Sequence, residues 1–195
     1  VQAPYLGTYF DLVNTERPPL DDPRVRRALS LAVDRATLSE TVMQGSVVPA
    51  YSITPPGTLG YEPPQLFSYD PVAARRLLAE AGYPDGSGWP GVELVYNTNE
   101  AHRKIAVAVQ QMWKDVLGID VTIANQEWKV YLDSVSTMNF DIARRGWIGD
   151  YVDPNNFLDL FLADGGNNNT GFADPVYDDM ILRRAPQAKS REARF

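Results

Sequence analysis

The 195-residue sequence has no cysteine and a single histidine, His102. Without thiols there is no disulfide framework, no thiolate zinc site and no cysteine nucleophile, and a thiol-free chain suits an oxidising compartment without requiring one. One imidazole excludes a two-histidine zinc site, so no metal or cofactor is expected, and a Ser–His–Asp triad would have to use His102 alone. Positive charge is in deficit too. Eighteen Lys and Arg against 25 Asp and Glu give a formal charge of −7, which argues against nucleic acid or anionic lipid as a partner of the bulk surface. No apolar run approaches the roughly 18–20 residues of a bilayer span. The sequence does not open on a basic-then-apolar leader either, and a start at Val1 raises the expectation of a processed chain or an excised piece. Nucleotide binding has no support, because the sequence holds no phosphate loop and no Gly-x-Gly-x-x-Gly, and it has no Gly-x-Ser-x-Gly elbow.

What is present is ordinary globular material, 44% hydrophobic and 22% charged, enough for one domain or two small ones. Tyr5 to Leu12 carries the aromatic and β-branched content of a strand and closes at a turn-rich stretch through Pro18, Pro19 and Asp22. Asp22 before Pro23 is a cap followed by proline at the first helical position. Val25, Ala28, Leu29, Ala32, Val33 and Ala36 then recur at three and four, predicting a helix that reaches Met43 before Gly45. Val47 to Phe67 is too rich in Pro, Gly and Tyr for regular structure and reads as a long loop packed through its aromatics. Asp70-Pro71 repeats the cap signal, and Gly82 with Pro84 ends that helix.

Val92 to Tyr96 alternates as a strand does. Thr98 or Asn99 then caps a helix with a 3.6-residue period up to Gly118, and Ile119 to Ile123 alternates again. Strand, helix and strand at this spacing make a βαβ unit with parallel strands, so the class is α/β. A helix over Gln126 to Val135, a strand over Phe140 to Trp147 ending at Gly149-Asp150, and a short helix over Pro154 to Leu162 follow. The tail from Pro175 to Phe195 begins as a helix but offers little apolar surface, and reads as an element cut short.

Among the carboxylates, Asp150 and Asp153 at a strand end are the pair to suspect of glycosidase-type acid and base work. The competing reading is that Asp stands near turns because it bonds its own backbone there.

Four stretches, in order, carry a resemblance: Asp21-Asp22-Pro23-Arg24-Val25-Arg26-Arg27-Ala28-Leu29 and on through Asp34-Arg35, Tyr69-Asp70-Pro71 through Gly82-Tyr83-Pro84, Asn125-Gln126-Glu127-Trp128, and Gly146-Trp147-Ile148-Gly149-Asp150-Tyr151. Together they resemble the oligopeptide-binding proteins of ABC transporters, the extracytoplasmic solute-binding family 5. The resemblance implies a periplasmic-binding-protein-like (class II) C-terminal lobe with a mixed, mostly parallel sheet flanked by helices. Residues 1–195 would be the larger part of that lobe and 5–13 a crossover strand, with the N-terminal lobe and the last segments lying elsewhere. It further implies a monomeric, non-enzymatic receptor in the periplasm or at the cell surface, delivering peptides to permease subunits and meeting the membrane only through them or through a lipid anchor.

The resemblance also nominates site residues. Asp150 in the Gly-Trp-x-x-Asp-Tyr motif would take a ligand ammonium. Gly146 and Ile148 would offer main-chain groups to an extended peptide. Trp147 and Trp128 would line side-chain pockets, although a lone Trp is more often core than pocket. Arg144 and His102 match basic positions that in some relatives receive a peptide carboxylate. Against this, Arg144 could be a solvated strand residue paired with Asp141, and His102 an exposed residue of a first helical turn. Val135 stands where some peptide binders carry another Arg, and Ile148 where a Cys or small residue is common. Within the same family an oligosaccharide binder, using stacked Trp and Tyr faces, is the alternative; outside it, a carboxylate glycosidase.

Overall fold

A computed structural model describes residues 5–194. Phe195, the end of the tail expected to break off, lies outside them. Four strands form one sheet in the order β1-β4-β2-β3: β1 over Gly7–Val13, β2 over Val92–Asn97, β3 over Val121–Gln126 and β4 over Ile142–Ile148. β2 runs parallel to both β3 and β4, while β1 lies antiparallel to β4 along its full length. The sheet is therefore mixed and mostly parallel, and the βαβ unit read from the sequence is β2, then α4 over Glu100–Leu117, then β3. Asn99 is the cap, accepting from Ala101 N and His102 N, and Gly118 ends α4 in the left-handed conformation at φ 72°, where glycine avoids the Cβ clash other residues suffer.

Alternation along the strands sends side chains to two apolar layers. Val92, Leu94, Tyr96 and Ile142 face α1 over Pro23–Leu31, α3 over Pro71–Glu80, and α4, which bury Leu29, Leu78 and Trp113 against them. Trp113 satisfies its indole N–H on the Leu29 carbonyl at 2.9 Å, so this ring costs no orphaned donor. On the opposite face Leu12, Val95 and Ala143 pack under Tyr131 and Val135 of α5, which spans Trp128–Ser136. The result is a sheet with helices on both faces, as expected.

The helix predicted to run from Pro23 to Met43 is instead broken. α1 stops at Leu31, and Asp34 caps a new short helix, α2 over Arg35–Thr37, followed by a π-helical turn over Leu38–Val42. Two groups explain the break. Asp34 accepts from Thr37 N and Oγ1, an arrangement that starts a helix. Arg35 donates to the Ser30 and Val33 carbonyls, and Asp70 N to the Leu31 carbonyl, spending the acceptors a continuing helix would need. The segment from Val47 to Phe67 is irregular throughout, with one isolated bridge between Thr58 and Tyr61. Among the further short helices are α6 over Asn155–Leu158 and α7 over Pro175–Asp179.

Candidate functional site

From β2 the chain passes to β3 on one side and then returns, through α5, to β4 on the other. The order of strands thus reverses between β2 and β4, and in open α/β sheets ligands bind beyond the carboxyl ends of the strands at such a point. Here the two strands also part. β2 pairs with β4 only through Leu94↔Ile142 and Val95↔Ala143, so from Arg144 onward the β2-facing edge of β4 is free of strand pairing.

Which residues use that edge follows from the antiparallel ladder with β1. Gly149 N donates to Leu6 O and Asn14 N to Asp141 O, each at 2.9 Å. The pairs Thr8↔Trp147, Phe10↔Arg145 and Leu12↔Ala143 lie an even number of places between them and so exchange the ladder bonds. The main-chain groups of Arg144, Gly146 and Ile148 consequently point the other way, to the open edge. Tyr131 donates its hydroxyl to the Arg144 carbonyl, which leaves Gly146 and Ile148, among the described residues, with unclaimed N–H and C=O groups facing the gap.

Around the gap stand the other sequence-nominated residues. Arg144 donates from Nη1 to Asn97 Oδ1 at 3.2 Å, and its guanidinium carbon lies 4.9 Å from the Tyr9 ring centroid, within cation–π range. Pairing with Asp141, the bland alternative, does not occur: Asp141 takes Arg17 and the Glu93 N–H. His102 sits in the first turn of α4 with its ring 5.6 Å from that of Tyr9. Burial first, and the Arg144 charge second, push its pKa down to about 4, so the imidazole is neutral at pH 7. Among the described residues, the Nδ1 atom of His102 and Nε of Arg144 are both buried without a hydrogen-bond partner. Asp11, opposite Arg144 in the ladder, is pushed up to about 6 by burial, against the pull of Arg144 and Arg35.

Trp147 lies on the opposite face, beside Phe10, Leu160 and Phe161 in a small recess that opens to solvent. Its indole and the Asp150 main chain are both held by Asn156. The Asp150 side chain itself is exposed, and among the described residues no hydrogen bond or ion pair holds its carboxylate. Burial and then the Asp150 charge raise the pKa of Asp159, so negative potential collects at this end. Asp153, in contrast, is engaged by Arg194 at 2.7 Å and by Asn155 N. Trp128 is half exposed, so it is not core, and stacks on Tyr131 at 5.9 Å between centroids.

Sequence reading missed Tyr9, Asn97, Tyr131 and Asn156. Asn156 alone carried a signal, as a polar residue opening the helix directly after the Asp150 motif.

The model of the bacterial extracellular solute-binding proteins, family 5 (middle), matches residues 1–169. The chain belongs to this family. Among curated family members, it is 41% identical over 98% of its length to the periplasmic murein peptide-binding protein MppA of Escherichia coli, and 40% identical over 91% to the oligopeptide-binding protein OppA of Bacillus subtilis. It covers 37% and 34% of those proteins, so it spans little more than a third of their length. Solved family 5 structures superpose closely. The E. coli murein tripeptide binding protein MppA gives a TM-score of 0.90 at 42% identity, covering 98% of this chain and 38% of that one. OppA of Haemophilus influenzae in complex with RPPGFSPFR gives 0.87 at 35% identity, covering 97% and 38%.

Proposed function

We propose that this chain is the larger part of the C-terminal lobe of an extracytoplasmic solute-binding protein, which captures oligopeptides or dipeptides between two lobes and delivers them to the permease subunits of an ABC importer. In this reading it works in the periplasm or at the cell surface, β1 is a crossover strand to the other lobe, and the chain performs no chemistry on its ligand. The relatives named for murein peptide and oligopeptide binding support the ligand class.

The observation that carries the reading is Asp150, an exposed carboxylate without a cation, placed just past a strand edge with free main-chain groups. A peptide adding to that edge antiparallel to β4 would set its ammonium against Asp150 and its amides against Gly146 and Ile148. Its carboxylate would then point toward Arg144 and His102. Main-chain pairing ignores side-chain identity, which suits a receptor for many sequences. Trp128 and Trp147 would flank the ligand side chains. Binding energy favours the closed arrangement of the lobes over the open one, and this lobe alone, with nothing to close on, is expected to bind peptides weakly or not at all.

Calorimetry on the two-lobed protein tests the reading. Asp150→Ala should weaken a free-amine tripeptide by about 2–5 kcal/mol, the usual cost of truncating one partner of a desolvated charge pair, and should barely affect the N-acetylated form. Equal losses for both would remove Asp150 from the amine role. Binding of an oligosaccharide in place of any peptide would replace the ligand class.

A further inference from the structure

Asn156 is 3% exposed in the first turn of α6, and gripping a peptide gives it no direct task. Its side-chain Oδ1 accepts two hydrogen bonds, one from Trp147 Nε1 at 2.7 Å and one from the Asp150 main-chain N at 3.3 Å. A single buried oxygen thus ties the indole on β4 to the backbone of the residue whose carboxylate projects beyond it. The backbone that carries it is itself held. Asp153 accepts from Asn156 N at 3.1 Å through its carbonyl and from Asn155 N through its side chain, while Phe157, the next residue, is fully buried. Gly149 closes the clamp from the strand side. A Cβ there would lie 3.0 Å from Leu6 Cγ and 3.3 Å from Phe157 Cε2, so the exit of β4 is threaded between two side chains.

We propose that Asn156 is a positioning residue that sets the amine-binding geometry by holding Trp147 and Asp150 on one acceptor. The inference rests on the peptide reading above. The indole and the carboxylate then behave as one unit, and a ligand side chain pressing on Trp147 is felt at the ammonium end. Without the oxygen, the indole N–H loses its acceptor at a part-buried position, and the Asp150 backbone is released to turn its carboxylate away.

The test measures calorimetric affinities of the two-lobed protein for trialanine and N-acetyl-trialanine in Asn156→Leu, Asn156→Asp and Asp150→Ala. It also follows the Trp147 indole N–H resonance, assigned by its loss in Trp147→Phe. Removing one partner of a buried hydrogen bond is worth a tenfold change or more, so Asn156→Leu should weaken trialanine by about tenfold and the acetylated peptide by less than about threefold. The indole resonance should shift as its bond is lost. Asn156→Asp keeps an acceptor oxygen and should hold the resonance and, to within about threefold, the affinity for trialanine. An unshifted resonance in Asn156→Leu, or equal losses for the two peptides, overturns the positioning role. If Asp150→Ala loses its preference for the free amine while Asn156→Leu keeps it, only the positioning role falls. A wild-type protein indifferent to acetylation removes the peptide reading and this inference with it. Should Asn156→Leu not fold, the shorter Asn156→Ser is judged by the same criteria.

Discussion

The two halves of β4 are built from the same chain and do opposite work. Ile142 and Ala143 are paired on both sides, are at most 1% exposed, and sit in the two apolar layers of the sheet. Arg144 to Ile148 keep the pairing with β1 but lose β2, and Ile148 is 60% exposed. A strand acquires an open edge here without any special residue. It needs only a neighbour that diverges, and a bond from Tyr131 that ties off the first freed carbonyl.

If the first half is scaffold and the second is edge, substitutions should separate them sharply. Ile142→Ala deletes buried methyl groups and should cost about 2–5 kcal/mol in chemical denaturation. Ile148→Ala, on the exposed half, should stay within about 0.5 kcal/mol. Comparable losses at both positions would mean that the open edge is packed after all. Tyr131→Phe keeps the ring in its core layer and removes the hydroxyl from the Arg144 carbonyl, so a loss of about 0.5–1.5 kcal/mol is expected. That bond links the two halves, and a loss as large as that of Ile142→Ala would make the edge part of the scaffold.

The smallest effect lies in pH dependence at the open end. Asp11 has its folded pKa raised from 3.8 to about 6, so between those values the folded state holds more protons than the unfolded one and stability falls as pH rises. His102 has its folded pKa lowered from 6.5 to about 4, so between those values the unfolded state holds more protons and stability rises with pH. The windows overlap and the slopes oppose, so the two contributions largely cancel in the wild-type chain. Thermal melts at pH 4 and pH 6.5 should unmask each. Relative to wild type, Asp11→Asn should do better at the higher pH and His102→Gln at the lower. Identical differences at both pH values would mean that neither group titrates abnormally.

Much of the scaffold was legible because its signals are local. The Asp-Pro pairs at Asp22 and Asp70 cap the helices they announced, and the period of α4 ends at the glycine that stops it. The run through Ala32, Val33 and Ala36 misled because hydrophobic spacing is blind to where carbonyls find donors. Arg35 and Asp70 took the acceptors, and Asp70 is distant in sequence. The site divides in the same way. Asp150 and Trp147 could be named from one motif, whereas Tyr9 and Asn97 reach Arg144 only because β1 and β2 flank β4, a neighbourhood no short window contains. The parting of β2 from β4 was equally invisible, being a property of twist and pairing and not of composition.

The unclaimed amides at Gly146 and Ile148 belong to the polypeptide itself, and a codon change there alters the side chain while leaving the carbonyl in place. Mutation can therefore redraw the walls around the gap, one aromatic or guanidinium at a time, while the rungs persist in every variant short of proline. If the gap holds an extended peptide as proposed above, a lineage could drift from one cargo sequence to another across such a frame without passing through a form unable to hold a backbone.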